Sequence, residues 1–197
     1  IGTSVMPSSE GAASIGGGHL LIGNQFYLAE SPSGIRIVDL KEAALQWSGL
    51  SYNNALDRGE VPKHALLFPE VLDLSADLAT FCEAHWESLA KLGFEVEPVG
   101  PKRFALRTIP LAYSGAEPLG LAHACLSQLS SLRFDGRLTD NQREELEKAC
   151  RGGADFPLDD GLKPDVLQGL LEWASSQGAG TGVSKEISPG ELKRLLA

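Results

Sequence analysis

The chain of 197 residues is 43% hydrophobic, enough to fill one domain or one two-lobed domain and too much for disorder along its whole length. Seventeen Lys and Arg stand against 26 Asp and Glu, a net charge of −9, which argues against a domain whose main task is to grip nucleic acid by its phosphates and leaves room only for a local basic patch. No apolar run approaches the roughly 20 residues of a transmembrane helix, and no basic stretch followed by an apolar one opens the chain as a signal peptide would, so no membrane partner is expected.

Residues 1–17 are rich in Gly, Ser and Ala without an apolar period and read as a linker remnant, so that the fragment is expected to be the C-terminal part of a longer protein. Three strands are predicted at Leu20 to Ile22, Gln25 to Glu30 and Ile35 to Leu40, with turns at Gly23-Asn24 and Ser31 to Gly34. A helix follows from Lys41, expected to end at Gly49 or soon after, and residues 51–62 read as a polar connector. His64 to Pro69 is an apolar strand. Ser75 caps a helix to Leu92 whose residues Leu78, Phe81, Cys82, His85 and Leu89 share one face, and Gly93 stops it. Phe94 to Val99 and Arg103 to Ile109 form a hairpin across Gly100-Pro101, and Leu119 to Leu132 is an amphipathic helix. Thr139 with Gln142 is a capping box that opens a helix to Gly152-Gly153, and Pro164 suits the first position of the next. After a breaker at 178–182, Val183 to Ile187 is a strand. Ser188-Pro189-Gly190-Glu191 caps the last helix. The order β-β-β-α, β-α-β-β-α, α-α-β-α is that of an α+β fold and lacks the regular βαβ alternation of a doubly wound sheet.

Motifs for chemistry are sparse. No phosphate-binding loop, GxSxG elbow or HExxH pair occurs. Cys82, Cys125 and Cys150 are odd in number and far apart in sequence, so no disulfide framework is expected and the cytoplasm is the default compartment. Cys82 and His85 read as structural, since a closed zinc site needs about four ligands. Residues 135–172 hold ten acidic and five basic side chains, read as a solvated face because the spacing is not that of a calcium loop. Between Pro98 and Ala116 there is no acid, but Lys102, Arg103 and Arg107 are present. The two arginines share strand parity, so this is the one place where a weak contact to DNA is expected.

The order of segments resembles the C-terminal domain of the MutL mismatch-repair family over about Gly18 to Ala197. Gln25 to Glu30 followed by Ile35-Arg36-Ile37-Val38-Asp39 is similar to the family's opening hairpin, and His64 to Pro69 to its strand into a middle lobe. Leu89 to Val96 followed by Phe104 to Pro110 is similar to its helix, hairpin and R-x-[VI]-P run. Ala149-Cys150-Arg151 and Ile187 to Leu196 match its late segments. The resemblance implies a discontinuous dimerisation lobe of 18–62 plus 143–197 and a smaller inserted α/β lobe of 63–142. It implies a homodimer with Phe26, Leu28, Ile37, Ala44, Leu45 and Trp47 as interface candidates. Many family members cut DNA through a DQHAxxExxxxE motif and a late C-x-H-G-R-P loop. Here Asp39 is followed by Leu40, Lys41 and Glu42, Leu45 and Leu50 stand at the two glutamates, and residues 175–183 carry neither Cys nor His. The expectation is therefore a branch without nuclease activity, with no metal, cofactor or catalytic residue in this fragment and the ATPase elsewhere. A divergent metal-dependent endonuclease and an unrelated ligand-binding α+β domain are the alternatives. Implied partners are MutS, the repair helicase, a separate nicking endonuclease and the sliding clamp. The clamp would meet a degraded Q-x-[LI][LI]-x-P motif, here His64, Leu66, Leu67 and Pro69; the bland reading is that Leu66 and Phe68, or Leu67 on the other face, are core.

Overall fold

The computed structural model describes residues 12–13, 19–157, 164–177 and 182–195. Two compact units emerge, one drawn from Ile1–Ala44 with Leu158–Ala197 and the other from Leu45–Pro157. Lobe boundaries at 62/63 and 142/143, implied by the resemblance, differ from these. The segments between fall in the second unit because they pack there: Tyr52 meets Tyr113 edge-on at 5.8 Å between ring centroids, and the Glu117 N–H donates to the Asp155 carbonyl at 2.7 Å.

The first unit holds an antiparallel sheet in the order β1-β2-β3-β4-β8, from Ala12–Ala13 (β1), His19–Ile22 (β2), Phe26–Ser31 (β3), Gly34–Asp39 (β4) and, defined here ahead of its place in the chain, Ser184–Ile187 (β8). Of the segment read as a linker, Ala12 and Ala13 are strand and the rest lies outside the described residues. Gly23 and Asn24 take φ of 56° and 53°, the two left-handed residues that a type I′ hairpin turn requires. A Cβ on Gly34 would run into the Ile187 carbonyl, so only glycine lets β8 lie this close. Tyr27 pairs with Val38 on the sheet's buried face.

Helix α1 is Leu40–Asp57, eight residues beyond the expected end at Gly49, and it takes up most of the expected connector. Gly49 does not stop it. A Cβ there would meet only the carboxylate end of the Glu147 side chain, 2.6 Å from Oε1, and the helix runs through this position. In the first unit α5 (Pro164–Ser176) buries Leu167, Leu170 and Ala174 at helical spacing, and α6 (Pro189–Leu195) opens with Ser188 Oγ accepting from Glu191 N while Glu191 accepts from Ser188 N.

The second unit is built on a three-stranded antiparallel sheet in the order β5-β7-β6, from Lys63–Asp73 (β5), Glu95–Gly100 (β6) and Arg103–Pro110 (β7). Helices α2 (Ala76–Lys91), α3 (Pro118–Ser131) and α4 (Asp140–Gly153) accompany it. Ser75 and the Thr139–Gln142 box cap α2 and α4 as the sequence predicts. Leu89, Phe94, Leu106, Leu121, Leu126 and Leu129 make a fully buried core. Thr108, itself buried, donates to the Gly93 carbonyl at 3.0 Å and accepts from Glu95 N at 3.1 Å, tying the start of β6 to β7 where their register slips. His85 packs between the rings of Phe81 and Phe134, a structural histidine as expected. The antiparallel sheets with segregated helices are those of an α+β fold.

Candidate functional site

One sheet face of the first unit carries an apolar patch, with Glu30, Asp39 and Lys185 on the same side by register. Register puts Leu20 opposite Leu28, Leu28 opposite Ile37, Ile22 opposite Phe26 and Ile35 opposite Ile187. All seven lie on the side away from Tyr27 and Val38, because strand side chains alternate. Leu20, Ile22 and Phe26 are exposed and the others half-buried. Phe26, Leu28 and Ile37, taken from the sequence as interface candidates, therefore share this face. Leu20, Ile22, Ile35 and Ile187 were missed, although strand parity alone would have added them. Of the helix candidates, Ala44 is buried at 8% exposure and offers no surface to a second chain, whereas Leu45 is half-buried and Trp47 is exposed.

Asp39 is occupied in a different way from a metal ligand. Its Oδ1 accepts from the backbone N–H of Lys41 at 3.0 Å and of Glu42 at 3.2 Å, and its Oδ2 accepts from Gln25 Nε2 at 3.3 Å. These are the bonds of an N-cap on α1, where a carboxylate also meets the positive end of the helix. Among the described residues no group of three or more His, Cys, Asp or Glu is placed to hold a metal ion. Leu50, at the second glutamate position, is 49% exposed. Residues 178–181 of the late loop and Asp159 and Asp160 lie outside the described residues.

In the second unit β5 carries a bulge. Ala65 pairs with Thr108 and Glu70 with Leu106, so β5 advances five residues while β7 advances two. The surplus residues are thrown outward: Leu67 is 89% exposed and Phe68 75%. Both are therefore surface and not core, which corrects the bland reading of the segment. His64 and Leu66 are half-buried and Pro69 is exposed. Phe68, the second residue held out by the bulge, was not in the sequence-derived set. Its exposure depends on a register slip against a strand about 40 residues away.

Both arginines of the basic hairpin face carboxylates. Arg103 Nε reaches Asp73 Oδ1 at 3.2 Å and Arg107 Nε reaches Glu97 Oε2 at 2.7 Å, carboxylates that the neighbouring strands bring in. The stretch looked free of acid only along the chain. A cavity of about 120 Å³ lined by Leu56, Val61, Leu92, Phe134 and Arg143 is small beside the roughly 300–1,000 Å³ of a ligand pocket.

Residues 20–152 match the family model described as the MutL C terminal dimerisation domain. The chain belongs to that family. Curated relatives named DNA mismatch repair protein MutL include that of Pelobacter propionicus, 27% identical over 178 residues, covering 88% of this chain and 29% of the relative. That of Myxococcus xanthus is 35% identical over 105 residues, 53% of this chain and 17% of the relative. That of Thiobacillus denitrificans is 29% identical over 128 residues, 64% and 21%. The chain thus spans less than a third of the length of these relatives. Membership in the dimerisation family sets aside the reading as an unrelated ligand-binding domain. No helix among the described residues of this MutL domain is long and apolar enough to cross a membrane.

Proposed function

We propose that this domain joins two MutL chains and docks repair partners during DNA mismatch repair without cutting DNA itself. The observation that carries the reading is the apolar patch on one sheet face of the first unit. Seven aliphatic or aromatic side chains share one side of the sheet, three of them exposed, with Glu30, Asp39 and Lys185 beside them; an apolar cluster rimmed by polar residues marks an interaction site. The family's description as a dimerisation domain supplies the occupant, a second copy pairing through Phe26, Leu28 and Ile37, with Leu45 and Trp47 of α1 as further contacts. Pairing here raises the effective concentration of whatever domains the two chains carry at their other ends.

Partner docking is assigned to the bulge. Leu67 and Phe68 stand out from β5 as apolar anchors, with His64 at the position where a clamp-binding peptide has glutamine, so the sliding clamp is the partner proposed for this strand. MutS, the repair helicase and a separate nicking endonuclease are the further partners implied by family. DNA contact by Lys102, Arg103 and Arg107 is weak at most, because both guanidiniums already face carboxylates and the chain is acidic. The absence of nuclease activity rests on the leucines at the glutamate positions and on the use of Asp39 as a cap.

Light scattering tests the pairing. A chain of 20.9 kDa is expected to give about twice that mass at micromolar concentration, and a mass of one chain throughout that range overturns the reading. Supercoiled plasmid with manganese tests the chemistry: no nicking is expected, and nicking abolished by Asp39→Asn would establish an endonuclease instead.

A further inference from the structure

We propose that Cys125 and Cys150 form a disulfide site, a buried dithiol that closes into a covalent link between α3 and α4 when a small-molecule disulfide such as oxidised glutathione accepts its electrons. The two sulfurs lie 2.7 Å apart, although 25 residues separate them in the chain. Unbonded carbon atoms rest at about 3.5–4.0 Å and sulfur is larger, so the two free thiols stand nearer to the roughly 2.05 Å of a disulfide than to an ordinary non-bonded contact. A shared metal does not fit. Two thiolates on one tetrahedral zinc, each at about 2.3 Å, stand roughly 3.7 Å apart.

The helices are held at this distance by glycine. A Cβ on Gly153 of α4 would collide with the Ala124 side chain and stand 2.8 Å from the Gly120 carbonyl oxygen of α3. Gly120 and Gly153 thus let two helix backbones touch one turn from the sulfurs, and the pair is presented as a fixed geometry. Both cysteines are fully buried. Burial, and a hydrogen bond between the two thiols in which Cys125 keeps its proton, push the Cys125 thiol well above its ordinary range, which keeps the reactive thiolate scarce and slows the first step.

The chemistry balances. One cysteine loses its proton and attacks a sulfur of oxidised glutathione; that S–S bond breaks, one glutathione thiolate leaves and a mixed disulfide forms. The second cysteine then loses its proton and attacks the protein-side sulfur, releasing the second glutathione thiolate. The protein gives up two protons and two electrons, and one oxidised glutathione becomes two reduced molecules. Because the second thiol is already in contact with the first, closure outruns any competing escape of the mixed disulfide.

The test uses the whole chain in a glutathione redox buffer, in one arm folded throughout and in a second arm carried through urea unfolding and refolding so that access is open. Both are stopped with iodoacetamide in denaturant and digested with trypsin. Cleavage places Cys82 in 64–91, Cys125 in 108–133 and Cys150 in 149–151. The expected product is the 108–133 and 149–151 peptides joined, with the intact chain about 2 Da lighter, one alkylated thiol in place of three, and all three recovered after reduction. Linkage in the folded arm, or in the refolded arm alone, supports the site; the latter adds that burial gates it. Three alkylated thiols in both arms, a glutathione adduct left unresolved on Cys125 or Cys150, or linkage to Cys82 overturns it. Cys82→Ser is expected to keep the cross-link and Cys125→Ser to abolish it.

Discussion

Substituting Phe26 by aspartate is expected to separate the dimer while leaving the protomer folded. Phe26 is 39% exposed, so of a side chain burying about 200 Å² it leaves about 80 Å² to be covered by a second copy. At roughly 25 cal/mol per Å² that is about 2 kcal/mol. A two-fold interface uses each residue twice, so the loss is about 4 kcal/mol per dimer, about three orders of magnitude in Kd before the cost of enclosing two carboxylates is added. The fold should bear the change, since the side chain projects from the sheet face opposite buried Tyr27 and Val38. Sedimentation velocity across nanomolar to tens of micromolar reads the equilibrium, and circular dichroism with thermal melting reads the fold. Leu67→Asp, on the bulge of the other unit, is the matched control and should sediment as the unsubstituted chain does. A Phe26→Asp chain that melts normally and still assembles with unchanged affinity would refute the placement of the interface on this face.

Leu67→Ala with Phe68→Ala should abolish binding to immobilised sliding clamp yet change unfolding free energy by no more than about 0.5 kcal/mol, since both side chains are exposed; His64→Gln should strengthen that binding. Gly93→Ala should destabilise the second unit by about 2–3 kcal/mol in urea unfolding, because φ is 99° and the new Cβ would stand 2.8 Å from Pro110 Cγ and 3.0 Å from its backbone. Hydrogen bonds from Ser33 and Arg36 hold the Glu186 carboxyl below its ordinary value of 4.5. A lowered folded value means stability that is present above pH 4.5 and lost as pH falls through the folded value. Glu186→Gln should therefore lower the melting temperature at pH 7 and converge on the unsubstituted chain only as pH falls below the lowered folded value. The Cys82 thiol, pushed up to about 12 by burial and by Glu83, should resist iodoacetamide at pH 8 for as long as the chain stays folded, and react when it is unfolded.

What was legible in the sequence was local. Ser75, Thr139 with Gln142 and Ser188 with Glu191 start their helices where predicted because a cap is decided within four residues. The shared face of Phe26, Leu28 and Ile37 follows from alternation and a turn that fixes register. Gly49 misled because a single glycine inside a helix costs only about 1 kcal/mol, too little to end a helix whose following turns bury Tyr52, Ala55 and Leu56. The exposure of Leu67 and Phe68 was hidden because a bulge is a property of two strands, and β7 lies far along the chain. The meeting of Cys125 with Cys150 was hidden likewise, since it depends on where two glycines let helices cross. The hairpin that seemed basic shows the same limit in part: Asp73 is 30 residues from Arg103 in sequence and opposite it across the ladder, whereas Glu97 lies in the predicted hairpin itself.

Asp39 shows why a matching residue is a poor guide to a matching role. The position would be explained by inherited metal chemistry if the surrounding ligands were present, and it is explained without them by the helix it opens. Lys41 and Glu42 present two backbone N–H groups that no intrahelical carbonyl can reach, and a carboxylate one residue before the helix satisfies both. An amide at 39 would still accept these bonds, whereas alanine would strand them at a typical cost of about 1 kcal/mol. A metal ligand has the opposite tolerance, since neutralising the carboxylate while keeping its shape removes the charge that binds the ion. The two roles therefore part at Asp39→Asn, and what is spared by that substitution belongs to the helix.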